Sequence, residues 1–85
     1  MEANQYYYSI YDNSGDYYNC KFQSKDDANF FGCFFNNQNN THYFRIDEFN
    51  RSTGNYVNYY KLDCTDVDYT DHDRFQRLLN ECARK

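Results

Sequence analysis

Five aspartates stand close together at Asp63, Asp66, Asp68, Asp71 and Asp73, with no Lys or Arg among them. Carboxylates two or three residues apart suit a basic groove, such as one that holds nucleic acid, and could imitate the spacing of phosphates. The same residues also suit helix capping and a solvated acidic loop. They lack the Gly and the terminal Glu of a calcium loop, so no metal is expected there. The four cysteines, Cys20, Cys33, Cys64 and Cys82, contain no C-x-x-C pair and do not read as zinc ligands. They read as small buried hydrophobes, and are expected to be reduced in an intracellular chain; if they pair, three connectivities are open. His42 begins a strand pattern and His72 falls in a helical first turn, with no nucleophile motif around either. The three glycines are isolated, so there is no phosphate-binding loop. The expectation is a protein that is not an enzyme, with no cofactor.

A second group of residues could act by contact. The chain has 11 Tyr and 8 Phe but only two Ile, two Val and three Leu. A core drawn from this inventory must be aromatic. Phe can fill it, but a buried Tyr hydroxyl needs a hydrogen-bond partner, so several Tyr must reach the surface, where Tyr is a strong contact residue.

The elements that position these residues follow from pattern. Residues 6–11 and 17–22 are rich in β-formers and flank a polar stretch containing Gly15, which reads as a hairpin. Ser24 resembles an N-cap, followed by Asp26 and Asp27 and then by Ala28, Phe31 and Phe35 at helical spacing. Residues 36–40, Asn-Asn-Gln-Asn-Asn, read as a linker. Residues 42–49 and 56–64 then form a second hairpin around Gly54. Thr70 is placed to cap a second helix, with Asp73 three residues on and Phe75, Leu78, Leu79 and Cys82 as its apolar stripe. Arg84 and Lys85 fall at the end that the helix dipole favours for cations.

The two halves resemble each other, Ser14-Gly15-Asp16-Tyr17 against Thr53-Gly54-Asn55-Tyr56 most closely. The expected fold is therefore α+β: one domain over residues 1–85, made of two ββα units at 6–35 and 42–84. This ββαββα chain would form a four-stranded antiparallel sheet with both helices on one face. Alternation then turns Tyr6, Tyr8, Ile10, Tyr18, Cys20, Phe22, Phe44, Ile46, Tyr60 and Leu62 toward the helices. It leaves Tyr7, Ser9, Tyr11, Tyr17, Lys21, Tyr43, Arg45, Asp47, Val57, Tyr59 and Lys61 on an open face.

The functional expectation is a non-catalytic protein-binding module, a small acidic inhibitor of the phage or mobile-element anti-defence type. It would block a host nucleic-acid-processing or defence protein. Its contacts would be the acidic edge already named, as a DNA mimic toward a basic partner, or the sheet face of Tyr7, Tyr11, Tyr17, Tyr43, Arg45, Tyr59 and Lys61. The alternatives are single-stranded nucleic-acid binding by stacking on the Tyr face, and self-association, including a homodimer, through the sheet. A net charge of −4 counts against nucleic acid. No apolar stretch is long enough for a membrane span. The polar start, Met1 to Gln5, predicts no signal peptide and a cytoplasmic protein, in the host cytoplasm if viral. Two glycosylation sequons, at Asn39 and Asn50, would matter only in a secreted chain.

Overall fold

A computed structural model describes residues 5–83. The readings made on Met1 to Asn4 and on Arg84 and Lys85 lie outside the described residues. The order of elements is β1 (Tyr6–Asp12), α1 (Lys25–Asn39), β2 (Tyr43–Asn50), β3 (Tyr56–Lys61) and α2 (His72–Ala83). The sheet is three-stranded and antiparallel, in the order β1-β2-β3. This corrects the expected four-stranded sheet of two ββα units.

The missing strand is residues 17–22, whose ladder pairing with β1 is reduced to the isolated bridges Tyr8↔Phe22 and Tyr11↔Tyr17. The reason is a difference in length. Tyr18 N donates to Ile10 O, and Phe22 exchanges both main-chain bonds with Tyr8. Four residues on this segment thus span what two span on β1, and the surplus kinks, with Cys20 N folded back onto Tyr18 O at 2.8 Å. Ser9 Oγ holds the displaced Cys20 carbonyl at 2.9 Å. The kink turns Cys20 inward, where it is bonded to Cys82 of α2.

The second hairpin forms as expected. Asn50 Oδ1 accepts the amides of Ser52 and Thr53, and Gly54 supplies a φ of 77° that a side chain would disfavour. The α1 helix starts at its expected cap, where Ser24 Oγ accepts from Asp27 N at 3.1 Å. It does not stop at Phe35. The Asn-rich stretch read as a linker supplies the last helical turn, and Asn40 closes it in the left-handed conformation, φ 56°. Asn36 makes this extension work: its side-chain amide bonds both the N–H and the C=O of Tyr43, as a strand partner would. The α2 cap is one residue later than expected, since Asp71 Oδ1 accepts from Arg74 N while Thr70 bonds Asp68.

The core lies between the sheet and α1, with α2 packed against α1 rather than on the strands. Phe31 is fully buried at its centre. Its ring centroid lies 4.9 Å from Phe75, 5.0 Å from Phe22 and 5.0 Å from Tyr18. Gly32 lets α1 approach the sheet; a Cβ there would meet Leu62 Cδ2 at 2.7 Å.

Two disulfides, Cys20–Cys82 and Cys33–Cys64, consume all four cysteines. The thiols expected to be reduced are thus paired. The bonds join residues 62 and 31 positions apart. Cross-links over loops of that length restrict the unfolded chain by roughly 3–4 kcal/mol each in the chain-entropy model.

Phe31→Ala should cost about 3–5 kcal/mol, a large part of the stability of a domain this small. Denaturant unfolding of the oxidised protein measures this. The Cys33→Ser/Cys64→Ser pair should lower stability by about 3 kcal/mol in the same experiment, and an unchanged midpoint would contradict the structural role given to that bond.

Candidate functional site

The face of the sheet away from α1 is not an evenly solvated surface. At its middle is Asp47, fully buried although it lies on the side without helices. Arg45, two residues away on the same strand face, binds it through both guanidinium branches at 2.7 and 2.9 Å. Tyr17 donates its hydroxyl to Oδ2, the oxygen that also accepts from Arg45 Nη2. A buried carboxylate needs this complete set of partners, because an unpaired one would cost several kcal/mol. Burial, and then the hydrogen bond to Asp47, push the Tyr17 hydroxyl up to about 12.

Aromatic rings close over this ion pair. Arg45 lies 4.1 Å from the Tyr11 ring centroid, 5.7 Å from Tyr59 and 5.9 Å from Phe44. Tyr11 contacts Tyr17 at 4.8 Å, and Tyr7 stacks on Phe49 at 5.1 Å. Lys21 sits over Tyr7 at 4.9 Å. The outermost rings remain open to solvent: Tyr17 is 45% exposed, Phe44 46%, Tyr56 53% and Tyr59 54%.

Of the residues expected on this face, Tyr7, Tyr11, Tyr17, Arg45, Tyr59 and Lys61 are there. Tyr43 is not. The register slips between Tyr11 and Asp12, so that Tyr11 pairs with Arg45 but Asp12 with Tyr43, and Phe44 is the extra residue. The bulge turns Tyr43 inward against Tyr18 and Phe35 and turns Phe44 outward, reversing the alternation expected for both. Phe49 and Tyr56 were missed as members of the face. The alternation Arg45, Asp47, Phe49 would have shown Phe49 on the same side.

On the opposite face of β2, Glu48 accepts the hydroxyls of Tyr8 at 2.8 Å and Tyr60 at 3.2 Å. Burial, then the bond to Glu48, push the Tyr8 hydroxyl up to about 12. Consecutive carboxylates on the central strand thus hold tyrosines on both faces.

The acidic segment does mostly local work. Asp63 accepts from Thr65 N, Asp68 from Thr70 N and Oγ1, and Asp71 from Arg74 N. The bonds from Thr65 hold the Asp63 carboxyl below its usual range, and those from Thr70 do the same for Asp68. Asp66 and Asp73 are exposed. The segment borders a groove of about 400 Å³ whose walls include Lys25, Lys61 and Arg74 as well as Asp63, Asp68 and Asp71. Arg74 is bound there to Asp26 and Asp27, both at 2.8 Å. Among the described residues, no three His, Cys, Asp or Glu side chains converge as metal ligands. His72 lies edge-on to Phe34, with 5.3 Å between ring centroids, and His42 accepts a main-chain bond from Asn13.

No protein-family model matches this chain, and no curated protein or solved structure matches it. No helix among the described residues is long and apolar enough to cross a membrane.

Asp47→Asn should destabilise the domain by about 2–4 kcal/mol, since it leaves Arg45 without its counter-charge in a partly enclosed site. Tyr17 should then ionise at lower pH, which an absorbance titration against Tyr17→Phe isolates. Both Tyr8 and Tyr17 hold their protons to about pH 12 when folded, whereas a free Tyr ionises near ~10. Their contribution to stability is therefore complete below about pH 10 and should be lost as pH rises toward 12. Unfolding midpoints measured across that interval check the sign.

Proposed function

We propose that this chain is a non-catalytic binding module that occupies the surface of a partner protein through the aromatic face around Arg45. The observation that carries this reading is the set of half-exposed rings on one face: Tyr17, Phe44 and Tyr59 around the Arg45–Asp47 ion pair, and Tyr56 beside Phe49. A monomeric soluble surface rarely holds several large aromatics together without using them. Tyr and Arg supply much of the energy at protein interfaces, and rings already held in place lose little freedom on binding.

A protein partner is favoured over nucleic acid because the charge of Arg45 is neutralised by Asp47. The exposed cations Lys21 and Lys61 remain on that face, within a chain of net charge −4. Phosphate binding needs uncompensated positive charge. The acidic segment supports the reading less directly, since Asp63, Asp68 and Asp71 already accept bonds in their own turns. Two disulfides in a domain of this size support an oxidising working compartment.

The test is a capture experiment with paired baits. Tyr17→Ser/Tyr59→Ser should lose the captured protein, while Asp66→Asn/Asp73→Asn should retain it. The reverse pattern would move the working surface to the acidic segment. Binding of single-stranded DNA or RNA in an anisotropy titration, abolished by the Tyr pair, would replace the protein partner with nucleic acid.

A further inference from the structure

The two edges of the sheet are treated differently. Beyond β1, residues 17–22 cover the edge through their two bridges, anchored by the Cys20–Cys82 bond. Beyond β3 no described strand lies, and five of its six residues are exposed. Leu62 N donates to Phe44 O at 3.1 Å, which makes Phe44 and Leu62 a bonded pair in this register. Alternation then turns the main-chain groups of Tyr59 and Lys61 away from β2, toward the open side. The Tyr59 N–H rests on the side-chain oxygen of Asn58 at 2.8 Å, a local substitute for a strand partner.

An open edge of this kind is normally blunted by Pro, charge, a β-bulge or a covering loop; of these β3 has Lys61 and one bulged residue, Val57, between the partners of Glu48 and Phe49. Here the strand Tyr-Val-Asn-Tyr-Tyr-Lys has no Pro and no carboxylate, although the chain carries 13 acidic residues. Both other strands contain carboxylates, Asp12 in β1 and Asp47 and Glu48 in β2. The β3 edge is thus where two copies of an acidic chain meet with least like-charge repulsion.

We propose that β3 pairs antiparallel with β3 of a second copy, about a two-fold axis at Tyr59. In that register Tyr59 exchanges both main-chain bonds with its symmetry mate, and Lys61 lies opposite Val57, the bulged residue at which the regular pairing ends. Two three-stranded sheets become one of six strands, and the two aromatic faces become neighbours on one surface. A single strand pair buries less than a standard protein interface, so the association is weak and concentration-dependent.

Sedimentation from about 10 µM to about 1 mM covers the affinity range of such a contact. The expected result is a mass rising toward twice the monomer, with amide exchange slowing at Tyr59 and Lys61. Asn58→Asp keeps the size and the acceptor oxygen but places a carboxylate beside the axis. It should weaken the dimer about tenfold, with a smaller effect at high salt. Tyr59→Pro removes an outward N–H without removing a β2–β3 bond and should abolish pairing; if it fails to fold, Asn58→Asp carries the test alone. Tyr17→Ser, on the aromatic face, should leave the dimer intact. A monomer at every concentration overturns the proposal, as does a dimer indifferent to Asn58→Asp. A dimer lost with Tyr17→Ser would be a face-to-face pair and would overturn it too. A monomer, or a dimer indifferent to Asn58→Asp, leaves the capture experiment untouched, since edge pairing leaves the face free; only the face-to-face pair would bear on both.

Discussion

The shortage of aliphatic side chains governs this molecule. Seven Ile, Val and Leu residues cannot fill a core between a sheet and two helices, so rings must do so. Phe31 touches Phe22, Phe35, Phe75 and Tyr18, and Phe34 stacks on Phe75 at 4.4 Å. Flat rings pack well against each other but leave little freedom in how the two helices meet. The helix interface is therefore a stack of rings, and Cys33–Cys64 and Cys20–Cys82 tie its outer segments to it. A core this small gains much of its margin from such bonds.

Aromatic excess has a second consequence on the far side of the sheet. Asp47 belongs by alternation to the open face, where a carboxylate would ordinarily meet water. The rings around it exclude water, so its charge must be met by Arg45, which bonds both carboxylate oxygens, and by the Tyr17 hydroxyl, which shares Oδ2 with Arg45. Both partners are fixed in turn: the guanidinium by the ring of Tyr11, and Tyr17 by its bridge to Tyr11. A polar group that would be a defect in an aliphatic core here specifies one arrangement of the rings above it.

Much of this was legible in the sequence because the signals were local. The Ser24 cap, the Asn50–Gly54 turn and the Phe75-Leu78-Leu79-Cys82 stripe act within a few residues, and each formed where local chemistry put it. The misreadings share a different character. The fourth strand failed because four residues face two of β1, and the kink that absorbs the surplus turns Cys20 to Cys82, 62 residues away. The Asn run became helix because Asn36 bonds Tyr43, across the helix end. The Tyr43 and Phe44 exchange came from one bulged residue, which reverses every side chain beyond it without changing composition or propensity. The face itself could be read in outline, since Tyr7, Tyr11 and Arg45 alternate as strands require. Its buried centre could not, because nothing local says that a strand aspartate on the open side is dry.

The kink at Cys20 links these features. The surplus residues that break the fourth strand carry the carbonyl bonded by Ser9 and turn Cys20 toward α2. They also set where Tyr17 enters, which is directly beside the Asp47 carboxylate. A regular hairpin would have continued the ladder outward and given the sheet a second open edge. The kinked segment instead seals that edge and completes the cover of the ion pair. One covalent bond to α2 thus makes the sheet one-sided: its β1 edge is covered by the kinked segment, and among the described strands the open edge is that of β3.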